Sequence, residues 1–272
     1  MATNITYNIR RFDPEKDEVP RWQQFIVPVE SGMTVLDGLH WIRENQDATL
    51  AWRYSCRMGV CGSCAMLING TPCMACNTQV LHITDRVLTV APLPNFNVIK
   101  DLVPDIMPML EKHASILPQI QRTDTEEMEN PSLEYIQSTE ELEQYLQFTY
   151  CMKCGCCMAA CPGSATDRGY LGPMPLTQAY RHNVDTRDDG EKKRNEVLSG
   201  AHGVFSCHYA GECSKVCPKG VDPARAIQLM KKDLVLGYLK LKGAKKPAKV
   251  VGPPTGETKP KIEAPPFTVE QK

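Results

Sequence analysis

The sequence predicts an α+β protein of two domains and a tail: residues 1–105 built on a β-sheet, residues 106–241 built from helices, and a polar segment over residues 242–272. Two observations lead to this prediction. Alternating, β-branched segments occur in the first part, whereas helix signals dominate the second. The 13 cysteines also fall into three groups, one in the first domain and two in the second.

The N-terminal domain opens with two predicted strands, since Ile5–Arg10 and Gln23–Val29 alternate in the manner of a hairpin. A helix is expected from about Thr34 to Asn45, where apolar residues recur at helical spacing. Ala65–Ile68 then predicts a strand that leads into a tight Asn-Gly turn. Arg86–Val90 predicts the last strand, and the prolines that follow it end the sheet.

The first cysteine group lies between the predicted helix and the last strands. Cys56, Cys61 and Cys64 have the C-x4-C-x2-C spacing of plant-type 2Fe-2S proteins. Spacing alone leaves both Cys73 and Cys76 open as the fourth ligand. Glycines inside the loop permit the tight backbone that wraps a cluster. A hairpin, a helix and further strands around such a loop predict a β-grasp 2Fe-2S ferredoxin domain.

The other two groups share one spacing. The middle run has the bacterial ferredoxin pattern C-x2-C-x2-C-x3-C-P, in which the fourth cysteine ligates the other of two clusters. Its cysteines are Cys151, Cys154, Cys157 and Cys161. The same spacing in the last group gives Cys207, Cys213 and Cys217. The second cysteine of that run is missing, because Ala210 stands there.

The missing cysteine predicts two unequal cubane-type clusters. After the crossover, four thiols are expected to hold a 4Fe-4S cluster: Cys151, Cys154, Cys157 and Cys217. Three thiols remain for the other site: Cys161, Cys207 and Cys213. Because a cubane site that lacks one protein ligand tends to lose that iron, we expect a 3Fe-4S cluster there. Cys156 and one of Cys73 and Cys76 are left as spare thiols.

Helix signals surround the two ferredoxin runs. Ser138 and Glu141 form a capping box that opens a helix running towards Tyr150. Asp222-Pro223 has the residue types of an N-cap and first helical position. We therefore expect the second domain to be all-α. The Lys- and Pro-rich residues after it are too polar to bury a core and predict a solvated tail.

Composition and motifs exclude several other classes. A formal net charge of −1 argues against nucleic-acid binding, which normally requires a basic face. Arg10-Arg11 lacks the apolar stretch of a twin-arginine export signal, so we interpret it as the end of a strand. Structural zinc would use C-x2-C pairs in fours, but zinc does not explain two C-x3-C-P endings. Without an export signal, reduced thiols in a cytoplasmic compartment fit better than disulfides.

These motifs closely resemble those of the iron–sulfur subunit of succinate dehydrogenase and fumarate reductase, respiratory complex II. The resemblance covers roughly residues 5–240. Besides the paired ferredoxin runs, it rests on four segments: Ser55–Cys64, Pro92–Phe96, Val98–Leu102 and Cys213–Gly220. The resemblance implies that Cys76 rather than Cys73 is the fourth 2Fe-2S ligand.

The resemblance also implies a function and partners. The chain would pass electrons singly from FAD in a flavoprotein subunit, through 2Fe-2S, 4Fe-4S and 3Fe-4S clusters, to membrane quinone. It would have no catalytic residues for dicarboxylates of its own. A membrane anchor subunit of the cytochrome b type would hold it peripherally on the cytoplasmic face of the membrane. Pro162 and His208 would border the 3Fe-4S cluster and the quinone.

Alternatives remain at three points. The same subunit could serve a quinol:fumarate reductase, since no tryptophan follows Cys161-Pro162 and Ala179–Asp188 looks closer to fumarate-reductase-type relatives. The chain could instead be a free-standing ferredoxin-like carrier, although its large helical domain argues against this. His208 could polarise a quinone oxygen or relay a proton, or it could be a structural histidine bonded to nearby backbone.

Overall fold

The chain folds into a sheet-based N-terminal domain and a mainly helical C-terminal domain, which a computed structural model describes for residues 3–129, 134–243, 245 and 249–251. The strands are β1 (Thr3–Arg11), β2 (Arg21–Val29), β3 (Ala65–Ile68), β4 (Thr71–Met74), β5 (Val87–Ala91), β6 (Val98–Lys100), β7 (Val103–Pro104), β8 (Glu134–Ile136) and β9 (Lys249–Val251). The helices are α1 (Val35–Asn45), α2 (Val80–Ile83), α3 (Met107–Ser115), α4 (Thr125–Glu129), α5 (Thr139–Glu143), α6 (Leu146–Thr149), α7 (Cys156–Ala159), α8 (Pro162–Thr166), α9 (Pro173–Val184), α10 (Glu191–Leu198), α11 (Glu212–Lys215) and α12 (Pro223–Tyr238).

The N-terminal sheet has five strands in the order β2-β1-β5-β3-β4. β1 pairs antiparallel with β2, with Ile5 opposite Val27, and parallel with β5, with Tyr7 opposite Leu88. Alternate residues of β1 are buried, because side chains alternate across a strand and one face of this sheet covers the core. The strands and the helix that the sequence predicts in this domain are therefore all present.

Helix α1 begins where the sequence predicts, because a capping box closes its first turn. The Asp37 N–H donates to Thr34 Oγ1, and the Thr34 N–H donates to the Asp37 carboxylate. The buried face consists of Val35, Leu36, Gly38, Leu39 and Ile42. A Cβ on Gly38 would lie 2.0 Å from Tyr7 Oη, so glycine is what allows α1 to lie this close to β1.

A buried arginine fastens the end of β1. Arg11 Nε donates to Asp101 Oδ1 (2.9 Å) and Arg11 Nη1 to Asp47 Oδ2 (2.7 Å). The Ala51 N–H also donates to the Asp101 carboxylate, so one aspartate ties together three segments of the domain. β1 ends at Arg11, which confirms the interpretation of this arginine pair as a strand end.

In the helical domain, α9 occupies the centre and packs against α3, α6, α7, α10 and α12. Nearly all of its side chains are buried. α12 starts as predicted, with Pro223 in its first turn and the Asp222 carboxylate accepting the Arg225 N–H at 2.9 Å. These two long helices form walls that position the cysteine runs.

The predicted helix from Ser138 towards Tyr150 is divided. The capping box is present, but α5 ends at Glu143 and α6 starts at Leu146. The break lies at Tyr145, whose backbone leaves the helical region (φ −128°) so that its ring is buried. The Tyr145 hydroxyl then donates to Gln137 Oε1 at 2.6 Å. The free energy gained by burying this aromatic ring therefore exceeds the free energy lost by interrupting the helix.

The predictions of an all-α second domain and of a solvated tail are each wrong in part. β8, inside the helical domain, pairs antiparallel with β9, inside the predicted tail. Lys245 Nζ donates to the Asp188 carbonyl at 2.7 Å, which fastens the start of the tail. Each of these two strands has only three residues, and such short segments that pair across a long sequence separation leave no periodic signal. The remaining tail prediction, over residues 252–272, lies outside the described residues.

No helix among the described residues is long and apolar enough to span a membrane.

Candidate metal centres

The first thiol group lies on the loop between α1 and β3 and on the 3₁₀ turn Ala75–Asn77. Backbone N–H groups donate to all four of its sulfurs: Met58 and Val60 to Cys56 Sγ (3.4 Å each), Gly59 to Cys76 Sγ (3.2 Å), Ser63 to Cys61 Sγ (3.4 Å) and Cys76 to Cys64 Sγ (3.4 Å). The two N–H groups at Cys56 lower its pKa to about 6. Such donors favour thiolates, the form that binds iron, so this group fits an iron–sulfur cluster.

Cys73 is different from the four thiols of the loop. It lies on β4, where its sulfur accepts the Thr78 hydroxyl at 3.6 Å and no backbone N–H of any described residue. Burial raises the pKa of this thiol as it does that of Cys64, so the backbone N–H contacts, and not the pKa, distinguish Cys73 from the other four. The structure therefore brings Cys76, and not Cys73, into the N–H-lined loop.

The second thiol group lines a small cavity of about 20 Å³. We refer to it as the four-thiol cavity, after its cysteines Cys151, Cys154, Cys157 and Cys217. Its other walls include Met174 and Thr177 of α9, and Pro223 at the start of α12. Three thiols come from one ferredoxin run and Cys217 from the other, which is the crossover grouping that the spacing predicts.

The third thiol group lines a small cavity of about 20 Å³. We refer to it as the three-thiol cavity, after its cysteines Cys161, Cys207 and Cys213. Ala210 also lines it, as do Pro162 and His208. These last three residues are exposed, so the three-thiol cavity lies at the surface of the domain.

The two ferredoxin runs repeat one backbone conformation. Lys153 and Gly155 have positive φ angles (56° and 85°), and so do Tyr209 and Gly211 (57° and 77°). A short helix starts immediately after each glycine, α7 in the first run and α11 in the second. Ala210 therefore occupies the position in its run that Cys154 occupies in the other, with a methyl group in place of a thiol.

The three thiol groups form a row. A Cβ on Gly62, in the first loop, would lie 2.9 Å from Cys154 Cα, so the first group touches the four-thiol cavity. Gly62 also has a φ of +80°, which strains any other residue. Cys157 and Cys213 belong to one buried cluster, so the four-thiol and three-thiol cavities are neighbours. The four-thiol cavity is in the middle of the row.

Asn95 joins the two domains, a role that the sequence motif Pro92–Phe96 did not reveal. Its Nδ2 donates to the carbonyl oxygens of Met158 (3.0 Å), Ala159 (2.9 Å) and Cys161 (3.2 Å). These carbonyls lie at or just after the C-terminal end of α7, and those of Met158 and Cys161 also accept the backbone N–H groups of Cys161 and Ala165. One side chain of the N-terminal domain thus holds the segment between the two cavities.

The remaining site residues are placed as follows. The exposed His208 ring makes no hydrogen bond with any described residue, so the backbone-bonded alternative finds no partner there. Cys156, expected to be spare, is fully buried beside Cys154. Sequence reasoning missed Tyr170, which lines the three-thiol cavity nine residues after Cys161. Cysteine spacing contains no signal for it.

The thiols are not arranged as ligands around a single metal ion. Among the described residues, no three His, Cys, Asp or Glu side chains converge as ligands of a single metal ion do. Family models match both domains: a 2Fe-2S iron–sulfur cluster binding domain over residues 6–111 and a 4Fe-4S dicluster domain over residues 147–221. Fold and thiol groups together define the class, a two-domain iron–sulfur protein of the ferredoxin type.

Comparison with known proteins identifies the family. The chain is 42% identical over 231 residues to the fumarate reductase iron–sulfur subunit of Mycobacterium tuberculosis, covering 85% of this chain and 93% of the relative. It is 38% identical over 232 residues to the mitochondrial succinate dehydrogenase [ubiquinone] iron–sulfur subunit of Candida glabrata, covering 84% and 90%. A chain of the solved Mycobacterium smegmatis Sdh1 complex in the apo form matches with a TM-score of 0.74 and 27% identity, covering 88% of this chain and 98% of that one.

The chain therefore belongs to the family of iron–sulfur subunits of succinate dehydrogenase and fumarate reductase, and it is an electron-transfer subunit of complex II. The resemblance drawn from the cysteine motifs is confirmed.

Proposed function

We propose that this chain passes electrons one at a time between a flavoprotein subunit that holds FAD and a quinone in the membrane. The row of three thiol groups carries this proposal, because a row of neighbouring redox sites divides one long transfer into short ones. Iron–sulfur clusters bound at these groups would supply the one-electron redox chemistry. We take succinate as the electron source, which the flavoprotein would oxidise.

The ligands that we propose follow the thiols that share a site. A 2Fe-2S cluster is assigned to Cys56, Cys61, Cys64 and Cys76. A 4Fe-4S cluster is assigned to Cys151, Cys154, Cys157 and Cys217. A 3Fe-4S cluster is assigned to Cys161, Cys207 and Cys213. The last assignment is supported by Ala210, since the position that would deliver a fourth thiol has none.

The chain's own residues contribute in two further ways. N–H donors in the first loop stabilise negative charge on sulfur, and hydrogen bonds to sulfurs are one of the means by which proteins set cluster potentials. Around the four-thiol cavity, Met152, Met174 and Val221 keep water away and lower the local dielectric. Asn95 holds the backbone between the two cavities, which keeps the distances between neighbouring sites constant.

The domain division that we propose has its first boundary in the gap between β7, which ends at Pro104, and α3, which starts at Met107. Residues 1–105 would hold the first thiol group and residues 106–241 the two cavities. The tail over residues 242–272 would hold no cluster ligand.

The two ends of the row expose apolar side chains that fit partner subunits. Beside the first thiol group, Met58 and Val60 are 72% and 53% exposed. We assign this end to the flavoprotein. Beside the three-thiol cavity, Phe205 and Tyr209 are 52% and 62% exposed. We assign this end to a membrane anchor of the cytochrome b type, which would hold the chain peripherally on the cytoplasmic face. Exposed apolar residues of this kind mark interaction surfaces.

Quinone is proposed to bind next to the three-thiol cavity, against Pro162 and His208. Both residues are exposed and line that cavity. The His208 ring has no hydrogen-bond partner among the described residues, so whichever ring nitrogen carries the proton is free to donate to a quinone oxygen. An imidazole can also pass a proton to a bound quinone.

A second candidate is the reverse direction, quinol oxidation with fumarate reduction. The similarity to fumarate reductase iron–sulfur subunits, at 42% and 38% identity, favours it. The two directions are distinguished in the purified complex by the ratio of succinate:quinone reductase to quinol:fumarate reductase activity. A ratio well above one supports succinate oxidation, and a ratio well below one supports fumarate reduction.

The first experiment is EPR on the anaerobically purified native complex, before and after dithionite reduction, with iron quantified. We expect a 3Fe-4S signal in the oxidised sample and additional 2Fe-2S and 4Fe-4S signals after reduction. A flavoprotein and a cytochrome should purify with the chain. If an iron-replete sample has no 3Fe-4S signal, the three-cluster assignment is wrong. If the chain purifies without partners, the free-standing carrier is the better hypothesis.

The choice between two cysteines in the first group provides a sharper test. Cys76→Ser is expected to abolish or strongly perturb the 2Fe-2S signal, because its sulfur lies among the N–H donors of the loop. Cys73→Ser is the matched control, three residues away in sequence, and should leave the signal intact. The opposite pattern would mean that Cys73 is the ligand.

A further inference from the structure

Tyr170, in the helical domain, has a hydroxyl group that is free to donate a hydrogen bond. Its side chain is only 1% exposed, and its hydroxyl, which faces the Cys207 thiol, makes no hydrogen bond of normal geometry with any described residue. A buried hydroxyl without a partner is energetically costly, and proteins rarely keep one unless something binds to it. The domain could have used phenylalanine here without that cost.

The ring of Tyr170 belongs to the wall of the three-thiol cavity. Together with Cys161, Cys207 and Cys213 it encloses that space. The ring packs on the glycine that follows Pro162: a Cβ on Gly163 would lie 3.3 Å from Tyr170 Cε1 and 3.6 Å from Cys161 Sγ. Burial raises the pKa of Tyr170, and the nearby Cys207 and Cys161 thiols raise it further.

The backbone of Tyr170 is held from both sides. Its carbonyl accepts Lys112 Nζ at 2.7 Å, and its N–H donates to the Asp167 carbonyl at 3.2 Å. The next N–H, that of Leu171, donates to the His202 carbonyl at 2.9 Å. With the backbone fixed and the ring buried, the hydroxyl cannot turn away to reach water. Its direction into the cavity is set before anything binds there.

The four-thiol cavity offers no equivalent buried donor, since the Lys219 side chain in its wall belongs to an exposed residue. The hydroxyl in its wall is that of Thr177, and Thr177 Oγ1 already donates to the Pro173 carbonyl at 2.7 Å. Two cavities of similar size, built from the same repeated backbone, therefore differ in one respect besides the missing thiol. One of them contains a free hydroxyl.

We propose that Tyr170 is a positioning residue whose hydroxyl donates a hydrogen bond to a sulfur of the cluster in the three-thiol cavity, and thereby makes that cluster easier to reduce. The proposal rests on the assignment of a 3Fe-4S cluster to this cavity. Reduction adds an electron, so the sulfurs of the reduced state carry more negative charge. A hydrogen-bond donor stabilises that state more than the oxidised one, and the reduction potential rises.

The test is Tyr170→Phe in the intact complex, with each cluster titrated by EPR. The substitution keeps the ring that packs on Gly163 and removes only the hydroxyl. At a fixed ambient potential, we expect the ratio of reduced to oxidised 3Fe-4S cluster to fall roughly tenfold, equivalent to about 59 mV for one electron. The other two clusters should titrate as before. Tyr180→Phe is the matched control, because Tyr180 is buried against Phe148 and lines neither cavity.

A second readout is independent of the potential. The oxidised 3Fe-4S cluster is paramagnetic, so a hydrogen-bonded hydroxyl proton should give an ENDOR coupling that disappears in D₂O and is missing from Tyr170→Phe. A purely structural role for the ring would leave this coupling unchanged. If Tyr170→Phe loses iron, the unsubstituted complex still decides the matter, since the lack of an exchangeable coupling there overturns the proposal.

The possible failures are distinguishable. A 3Fe-4S signal with unchanged potential and unchanged proton coupling in Tyr170→Phe overturns the role of Tyr170 and leaves the proposed function intact. No 3Fe-4S signal in the unsubstituted, iron-replete complex overturns the cluster assignment itself, and with it this inference.

Discussion

The four-thiol and three-thiol cavities are lined by runs with the same backbone conformation, but they differ in the number of thiols that they offer. Each is lined by a residue of α9, Met174 in one and Pro173 in the other, and by the first turn of α12. In both runs a positive-φ residue and a positive-φ glycine flank one position, occupied by Cys154 in the first run and Ala210 in the second. When a backbone conformation is repeated, a single side chain can therefore determine how many ligands a site offers.

The two cavities also differ in their surroundings. The four-thiol cavity is flanked by the first thiol loop on one side and by the three-thiol cavity on the other. The three-thiol cavity instead opens towards exposed residues, among them His208 and Tyr209. Exposure and hydrogen bonding to sulfur both change cluster potentials. A middle site between two redox neighbours and an end site beside an exposed surface therefore suit different steps of one transfer.

The largest effect is expected from a substitution that tests whether the last ferredoxin run supplies the fourth ligand of the four-thiol cavity. Cys217→Ser changes the last ferredoxin run but should abolish the 4Fe-4S signal, because Cys217 lines the four-thiol cavity. Thermal stability should fall as well, since a cluster that binds only the folded chain stabilises it. EPR and iron analysis measure the first effect and calorimetry the second.

Cys156→Ala is the control for this substitution, because Cys156 is buried beside Cys154 but lines neither cavity. It should leave both cubane-type signals in place. Loss of the 3Fe-4S signal instead of the 4Fe-4S signal in Cys217→Ser would show that the two runs do not exchange their last thiols.

The next effect tests whether the two cavities share one scaffold. Arg194 is fully buried and holds Asp188 through two bonds, from Nη1 (2.6 Å) and Nη2 (2.7 Å). It also donates to the Leu117 and Gln119 carbonyls, so the pair ties α10 to the segment after α3. Asp188→Ala leaves a buried charge unpaired and should lower the unfolding free energy by about 3–5 kcal/mol. Both cubane-type clusters should become labile together.

The neighbouring Asp189 is the control, since it is half exposed and pairs with Arg122 at the surface. Asp189→Ala should cost less than about 1 kcal/mol. Denaturant unfolding of both variants measures the difference. If Asp188→Ala labilises only one of the two clusters, the cavities do not depend on a common scaffold.

The Asp188–Arg194 pair also predicts a pH dependence. Burial by itself would raise the pKa of Asp188, but hydrogen bonds from Arg194 and from the Gln121 N–H outweigh it and lower the pKa below 3.8. A depressed pKa in the folded state means that the pair's contribution is complete above the unfolded value and is lost as pH falls through the folded one. The stability difference between wild type and Asp188→Ala should therefore be constant near neutral pH and shrink below about pH 4. A difference that grows on acidification would contradict this sign.

A smaller effect is expected from restoring the missing thiol. Ala210→Cys puts a cysteine at the position equivalent to Cys154, on a backbone that already has the required conformation. We expect the 3Fe-4S signal to give way to a 4Fe-4S signal and the potential of that site to fall, by roughly 59 mV or more, a tenfold change in the reduced fraction. Ala210→Ser is the control, because it adds a similar volume without a thiol. Unchanged spectra in Ala210→Cys would mean that residue 210 does not determine the cluster type.

The smallest effect concerns how each run is attached to α12. Asp222 Oδ1 accepts both the Arg225 N–H (2.9 Å) and the Ser214 hydroxyl (2.5 Å), so it links α12 to α11. The position equivalent to Ser214 in the first run is Met158, which cannot make this bond. Asp222→Ala should cost about 1 kcal/mol, as the loss of an N-cap does, and should broaden the 3Fe-4S signal only. Ser138→Ala, which removes the cap of α5, should cost a similar amount without any spectral change.

Much of this protein could be predicted from its sequence because the signals are local. The apolar alternation of β1, the Thr34 capping box of α1 and the Asp222-Pro223 start of α12 all lie within a few residues of the structure that they specify. The cysteine runs are equally local, since each loop delivers its thiols at short, repeated intervals. The break at Tyr145 was missed because burial of its ring competes with a helix signal that continues through it.

The sequence by itself determined the two-domain class, the family and the division of the thiols into three groups, with Ala210 as the informative gap. Only the tertiary structure decided what lies next to those thiols: the Tyr170 hydroxyl in one cavity, Asn95 on the carbonyls after α7, the Arg194–Asp188 pair and the pairing of β8 with β9. Each of these contacts joins residues that no periodicity or spacing connects. The hydrogen-bonded contacts form because folding brings distant polar groups together out of water, where they need partners, and that requirement is met in space rather than along the chain. The Tyr170 hydroxyl is the exception among these groups, since it has no partner of normal geometry among the described residues.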